Sequence, residues 1–218
     1  MLHVFDMDGT LLHGTTAGIQ IAERLGCLAE LRELEASFAA GAIDTRAFSA
    51  AIAALWQGIT AELVAEVFGA APWIRGLPEV LADVSARGER SLVITMSPDF
   101  FADGLRALGV DEVAASRFPP LPLAAIPEPA GILTPADKVR IVAETLARHR
   151  LTERECVAYG DSASDIPLFG WLPNTVAVNA SPELATLATV SYRGADLREA
   201  YRLGRSTLDP GPRAASIS

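Results

Sequence analysis

The chain has 218 residues, half of them hydrophobic and 21% charged, a composition that allows a substantial buried core and excludes a disordered polymer. The net charge of -9 argues against a general binder of nucleic acid or of membrane surfaces, because both need clustered Lys and Arg to displace counterions. No stretch reaches the roughly 18 apolar residues of a membrane span.

The first element in chain order is the apolar run Leu2 to Phe5, which leads directly into Asp6-Met7-Asp8-Gly9-Thr10. Its continuous apolarity reads as a strand buried on both faces. From Gly14 to about Ile74 only helical periodicity follows. Leu28, Leu31, Leu34 and Phe38 form one stripe, closed by Gly41. Phe48, Ile52 and Leu55 form a second, closed by Gly58, and Leu63, Val64, Val67 and Phe68 a third, closed by Gly69. Such an insert reads as a helical cap over a site, or as extra helices packed on a sheet.

Beyond it, helical patterns at 77–87, 100–108, 138–149 and 182–188 alternate with apolar runs at 92–96, 113–115, 156–159 and 175–178. That alternation predicts an α/β fold, a doubly wound parallel sheet with ligands at the carboxyl ends of its strands. The expected division is a core of residues 1–13 and 75–208, an all-helical insert of 14–74, and a structureless tail of 209–218. The prolines between Phe118 and Pro129 predict a stiff irregular connection. Cys27 and Cys156 are far apart and match no metal-ligand spacing, so free thiols in a reducing compartment are expected. With no leader pattern before the first strand, the expected location is cytoplasmic.

Four sites fall where that sheet would bind ligands. Asp6 and Asp8, two apart in extended chain, point to one side, and their mutual repulsion calls for a cation or a ligand, unless the motif is only an Asp-rich turn at a strand exit. Gly9 lets the backbone turn close to such a ligand. Ser97, before Pro98 and Asp99, fits two roles: a helix N-cap, or a hydroxyl donor to phosphate at a helix N-terminus. Thr134 and Asp137 suggest a capping box, after which Lys138 sits where the helix dipole disfavours a cation. It is either a surface lysine or the partner of an anion. Asp161 and Asp165, after the run Cys156 to Tyr159, supply the oxygen ligands that Mg²⁺ prefers; the alternative is that Asp161 or Ser162 caps the next helix.

The ordered set Asp6-Met-Asp-Gly-Thr10, Ser97, Lys138 and Gly160-Asp-Ser-Ala-Ser-Asp165 resembles the haloacid dehalogenase superfamily. The insert, Met96-Ser97-Pro98-Asp99-Phe100-Phe101 and Val176-Ala177-Val178-Asn179 resemble its phosphoserine-phosphatase-like subgroup. The resemblance implies a Mg²⁺-dependent phosphohydrolase acting on a small-molecule phosphomonoester. Asp6 would be the nucleophile and Asp8 the acid/base, while Ser97 and Lys138 would hold the phosphoryl oxygens. Asp6, Asp8, Asp161 and Asp165 would form the metal site. Gly9, Thr10, Thr15 and Pro98 would complete the substrate side.

A phosphotransferase, a dehalogenase and a non-catalytic binding module remain alternatives, although Asp8 speaks for phosphate esters. Thr15 stands where the subgroup has a glutamate for the substrate amine, and the stretch Phe48 to Trp56 holds no arginine. Both argue against free phosphoserine and for a neutral alcohol moiety.

Overall fold

The computed structural model describes residues 1–208, so the tail expected at 209–218 lies outside the described residues. The strands are β1 (Leu2–Phe5), β2 (Asp8–Gly9), β3 (Leu12–His13), β4 (Arg90–Pro98), β5 (Glu112–Ser116), β6 (Cys156–Gly160), β7 (Thr175–Val178) and β8 (Val190–Tyr192). The helices are α1 (Ala17–Leu25), α2 (Leu28–Ala39), α3 (Thr45–Leu55), α4 (Ala61–Ala70), α5 (Leu77–Ala86), α6 (Asp99–Ala102), α7 (Pro135–His149), α8 (Ile166–Trp171), α9 (Pro182–Leu187) and α10 (Leu197–Leu208). Among the described residues, no helix is long and apolar enough to cross a membrane.

Six strands form one parallel sheet in the order β5-β4-β1-β6-β7-β8. The chain builds outward from β1 to β5 on one side, then crosses over to build β6 to β8 on the other. The switch in direction therefore falls beside β1, and the crevice at its carboxyl end is where such sheets bind ligands. Phe5 pairs with Val93 on β4 and with Tyr159 on β6, so the residues after these three strands converge.

Helices cover both faces, which explains why the central strands are apolar without alternation. Val4, Leu92, Ile94 and Ala158 pack with Val142, Leu146, Leu168 and Phe169 on one side. Phe5, Val93, Val157 and Tyr159 share the other with α5, α10 and the insert.

The insert holds four helices where three stripes were legible. The unexpected one, α1, is capped by the Thr16 hydroxyl, which accepts from the Ile19 N–H, and it ends at Gly26 in the left-handed region. The chain enters and leaves the insert side by side, since His13 N–H donates to the Pro72 carbonyl and Ile74 N–H to that of Leu11. Gly69 lies within α4 and does not end it; Pro72, which cannot continue a helix, follows just after.

The helix expected at 100–108 is instead the short α6 followed by a 3₁₀ segment over Asp103–Leu108. A Cβ at Gly104 would meet the Phe68 ring 2.6 Å away, so close packing against α4 passes through this segment. The proline-rich connection is irregular as expected. It docks on the insert through Gly58 N–H to the Leu123 carbonyl and Leu123 N–H to that of Ile59.

On β1, His3 is fully buried, with Nε2 2.8 Å from Glu89 and Nδ1 3.3 Å from the Tyr159 hydroxyl. Burial, only partly offset by Glu89, lowers its pKa from 6.5 to about 4. An unfolded chain therefore binds a proton that the native state refuses between these values, and stability falls as pH drops through that window. The expected loss from pH 7 to pH 5 is about 2 kcal/mol from this residue. Urea unfolding of the parent and of His3→Gln at both pH values checks it, because an equal loss in the two proteins would remove His3 as the cause.

Candidate active site

The carboxylates of Asp6, Asp161 and Asp165 gather at the carboxyl ends of β1 and β6, with oxygens within 4.8 Å of one another. Asp6 follows β1 by one residue, and its N–H continues the ladder by donating to the Tyr159 carbonyl at 2.9 Å. Its side chain is 7% exposed. Asp161 follows β6 by one residue, and Asp165 lies one tight turn further on. There Asp165 Oδ2 accepts from the N–H groups of Asp161 and Ser162.

Two glycines make the room. Gly9 has φ +76°, and a Cβ there would collide with the Asp161 carboxylate; a Cβ on Gly160 would collide with that of Asp165.

Lys138 closes the cluster. Thr134 and Asp137 form the capping box that starts α7, and this places Lys138 one turn in, with only 1% of its surface exposed. Its Nζ donates to Asp6 Oδ1 and Asp165 Oδ1, both at 2.6 Å, and to Ser164 Oγ at 3.1 Å. The surface-lysine alternative is thereby eliminated. Burial alone would discharge the ammonium, but the Asp6 and Asp165 charges outweigh it and hold its pKa above the ordinary value.

One ammonium does not balance three carboxylates. Burial, and then the charge of Asp165, pushes the Asp161 carboxyl up to about 7. Burial and the charges of Asp165, Asp161 and Asp8 likewise raise Asp6 against the pull of Lys138. The buried Oδ1 of Asp161 has no hydrogen-bond partner among the described residues. An all-oxygen set with an unmet acceptor and excess negative charge fits a hard divalent cation such as Mg²⁺.

Asp8 belongs to a different surrounding. Its Oδ2 accepts from Ser97 Oγ at 2.7 Å and Thr95 Oγ1 at 3.0 Å, and its Oδ1 from the Ala17 N–H at 2.7 Å. Ser97 is therefore not the helix cap that its place before Pro98 allowed: β4 continues through Pro98, and Pro98 itself precedes α6. Ser97 also donates its N–H to Thr95 Oγ1.

Among the other sequence-derived positions, Thr15 accepts the Gly9 N–H at its carbonyl and Gln20 Nε2 at its hydroxyl. Thr10 is fully buried, and its hydroxyl has no partner among the described residues. Pro98 is buried in the turn into α6.

Sequence reasoning missed Thr95 and Ser164. Thr95 was findable, since it precedes Ser97 by two on one strand and so shares its face. Ser164 sits inside a motif already singled out.

Residues 3–170 match the family model described as haloacid dehalogenase-like hydrolase. The chain belongs to that family. It is 26% identical over 198 residues to a phosphoserine phosphatase of Polaromonas sp., covering 87% of this chain and 84% of that one. It is also 26% identical over 204 residues to a phosphoserine phosphatase of Albidiferax ferrireducens, covering 90% and 86%.

Among solved structures, an HAD family hydrolase from Salmonella enterica serovar Typhi superposes with a TM-score of 0.81 at 20% identity, over 92% of this chain and 70% of that one. A phospho-aspartyl intermediate analogue of phosphoserine phosphatase gives 0.78 at 22% identity, over 92% and 97%. These likenesses agree with the parallel sheet and flanking helices described above.

Proposed function

We propose that this hydrolase removes phosphate from a small phosphomonoester through an aspartyl-phosphate on Asp6, with helices α1 to α4 forming a cap over the site. The observation that carries the reading is the pairing of two differently supported carboxylates, Asp6 on Lys138 and Asp8 on Ser97 and Thr95, at one strand end. The relatives named phosphoserine phosphatase support the reaction class.

Asp6 attacks phosphorus in line; its carboxylate oxygen forms the new P–O bond while the ester P–O bond breaks. Asp8 gives a proton to the departing alkoxide. It then takes one from the water that cleaves the acyl phosphate, which frees inorganic phosphate and restores Asp6. Lys138 keeps Asp6 aligned and carries positive charge for the phosphoryl oxygens. Ser97, whose single hydroxyl hydrogen goes to Asp8 before substrate binds, turns it to the same oxygens once the phosphoryl group is in place.

Mg²⁺ would be held by Asp6, Asp161 and the Asp8 backbone carbonyl with Asp165 behind, and when bound it supplies positive charge against the phosphoryl group. Free thiols at Cys27 and Cys156 suit a cytoplasmic enzyme.

Phosphate release from a panel of phosphomonoesters, with and without Mg²⁺, tests the reading; no release from any ester in Mg²⁺ would overturn it. Metal dependence has a readout free of turnover. Mg²⁺ at a hundred times its Kd should stabilise the native state by about 2.7 kcal/mol. The accompanying rise in Tm should require a higher Mg²⁺ concentration in Asp161→Ala. A parent Tm indifferent to Mg²⁺, together with full activity after chelation, would contradict the metal assignment.

A further inference from the structure

Asp8 has to stay aimed through two proton transfers, yet one of its three hydrogen-bond donors is needed elsewhere during the reaction. The arrangement originates in β4. Its pairing with β5 shifts register between Thr95 and Pro98, so Met96 and Ser97 bulge out of the ladder. The Ser97 N–H is met instead by the Thr95 hydroxyl oxygen at 3.0 Å. Both hydroxyls then reach Asp8 Oδ2, Ser97 from 2.7 Å and Thr95 from 3.0 Å.

The two hydroxyls differ in freedom, although each has a single hydrogen to give. Among the described residues, Asp8 is the one acceptor for the Thr95 hydrogen, and the fully buried side chain cannot turn toward water. Ser97 is half-buried, and its hydroxyl makes no other hydrogen bond among the described residues, so its hydrogen can turn. When it turns to the phosphoryl oxygens, Asp8 keeps the Ala17 N–H on Oδ1 and Thr95 on Oδ2. One donor on each oxygen fixes the plane of the carboxyl group. With Ala17 alone the group is free to swing about a single hydrogen bond.

We propose that Thr95 is a positioning residue for the acid/base: it holds Asp8 Oδ2 while Ser97 is engaged with the phosphoryl group, and so keeps the carboxyl aimed at the leaving oxygen. The assignment rests on the phosphomonoesterase reading and adds to it a residue whose effect depends on the leaving group. An alkoxide needs the Asp8 proton in order to depart, whereas 4-nitrophenolate is stable enough to leave without it. The harm done by a badly aimed acid therefore grows with the basicity of the leaving oxygen.

The test is kcat/KM, which ends at departure of the alcohol, measured in saturating Mg²⁺ over a panel of alkyl and ring-substituted phenyl phosphates. Thr95→Val keeps the shape of the side chain and removes the hydroxyl. It should lower kcat/KM by about tenfold or more for the most basic leaving groups, part of the roughly 10²–10⁴-fold that a positioned acid supplies, and by about threefold or less for 4-nitrophenyl phosphate. Thr95→Ser, which keeps the donor, should stay within about threefold of the parent throughout. Inorganic phosphate, titrated calorimetrically with Mg²⁺, should bind Thr95→Val within about threefold of the parent, since the groups that hold the phosphoryl oxygens remain. Where Thr95→Val does not fold, Thr95→Cys, a weak donor of similar size, should show the same dependence on leaving group in smaller measure.

A loss equal for every leaving group, full activity of Thr95→Val, a Thr95→Ser protein no better than Thr95→Val, or phosphate binding that falls in step with turnover would overturn the proposal and leave the phosphatase reading standing. A parent that releases no phosphate from any ester would remove that reading, and the role of Thr95 with it.

Discussion

Asp6→Asn is expected to lower phosphate release by about 10³-fold or more with the fold intact, since the amide keeps the shape of the carboxylate but cannot form the acyl phosphate. The substitution also bears on stability, in a direction that identifies the cluster. Burial, together with the charges of Asp165 and Asp161, raises the Asp6 carboxyl against the pull of Lys138. Asparagine still accepts a hydrogen bond from Lys138 and removes one negative charge. In metal-free buffer the Tm of the variant should therefore equal or exceed that of the parent, and the advantage should shrink as Mg²⁺ is added and stabilises the parent. Steady-state release in saturating Mg²⁺ and thermal unfolding by circular dichroism are the measurements. Turnover within tenfold of the parent would remove Asp6 from the nucleophile role. A variant less stable than the parent without metal would show that the carboxylates are better balanced than the geometry implies.

The strands that position this site were legible because burial on both faces leaves an unmistakable run of apolar residues, as in Leu2 to Phe5 and Cys156 to Tyr159. What escaped was the part of the fold built from small residues. α10 turns Leu197, Ala200, Tyr201 and Gly204 inward, and α1 turns Ala17, Ile21 and Ala22, so neither shows a stripe of large aliphatics. Close approach is the reason in α10, where a Cβ on Gly204 would collide with the Tyr159 hydroxyl.

At the site, motif spacing placed Asp6, Asp8, Lys138, Asp161 and Asp165 on one edge but left open which partner each would choose. Ser97 could have capped a helix, and its engagement by Asp8 depends on β4 running two residues further than its apolar stretch.

Lys138→Met should be the most damaging single change, costing about 3–5 kcal/mol of stability and essentially all turnover, because it leaves buried carboxylates facing one another without their cation. The loss has a predictable pH dependence. Without Lys138 the Asp6 and Asp161 carboxyls lie further above their unfolded pKa values, so the native state holds protons that the unfolded chain has released. Stability of the variant should then rise as pH is lowered from 8 toward 5, opposite in sign to the acid loss assigned to His3. The double variant Lys138→Met with Asp165→Asn removes one of the stranded charges and should recover at least about 1 kcal/mol of that stability. It should recover no turnover, because the ammonium that aligns Asp6 and meets the phosphoryl oxygens is still missing. Urea unfolding of the three proteins across this pH range, with phosphate release measured beside it, separates the two roles of the lysine. Recovery of turnover in step with stability would reduce Lys138 to a structural counter-ion and place the phosphoryl-binding charge elsewhere.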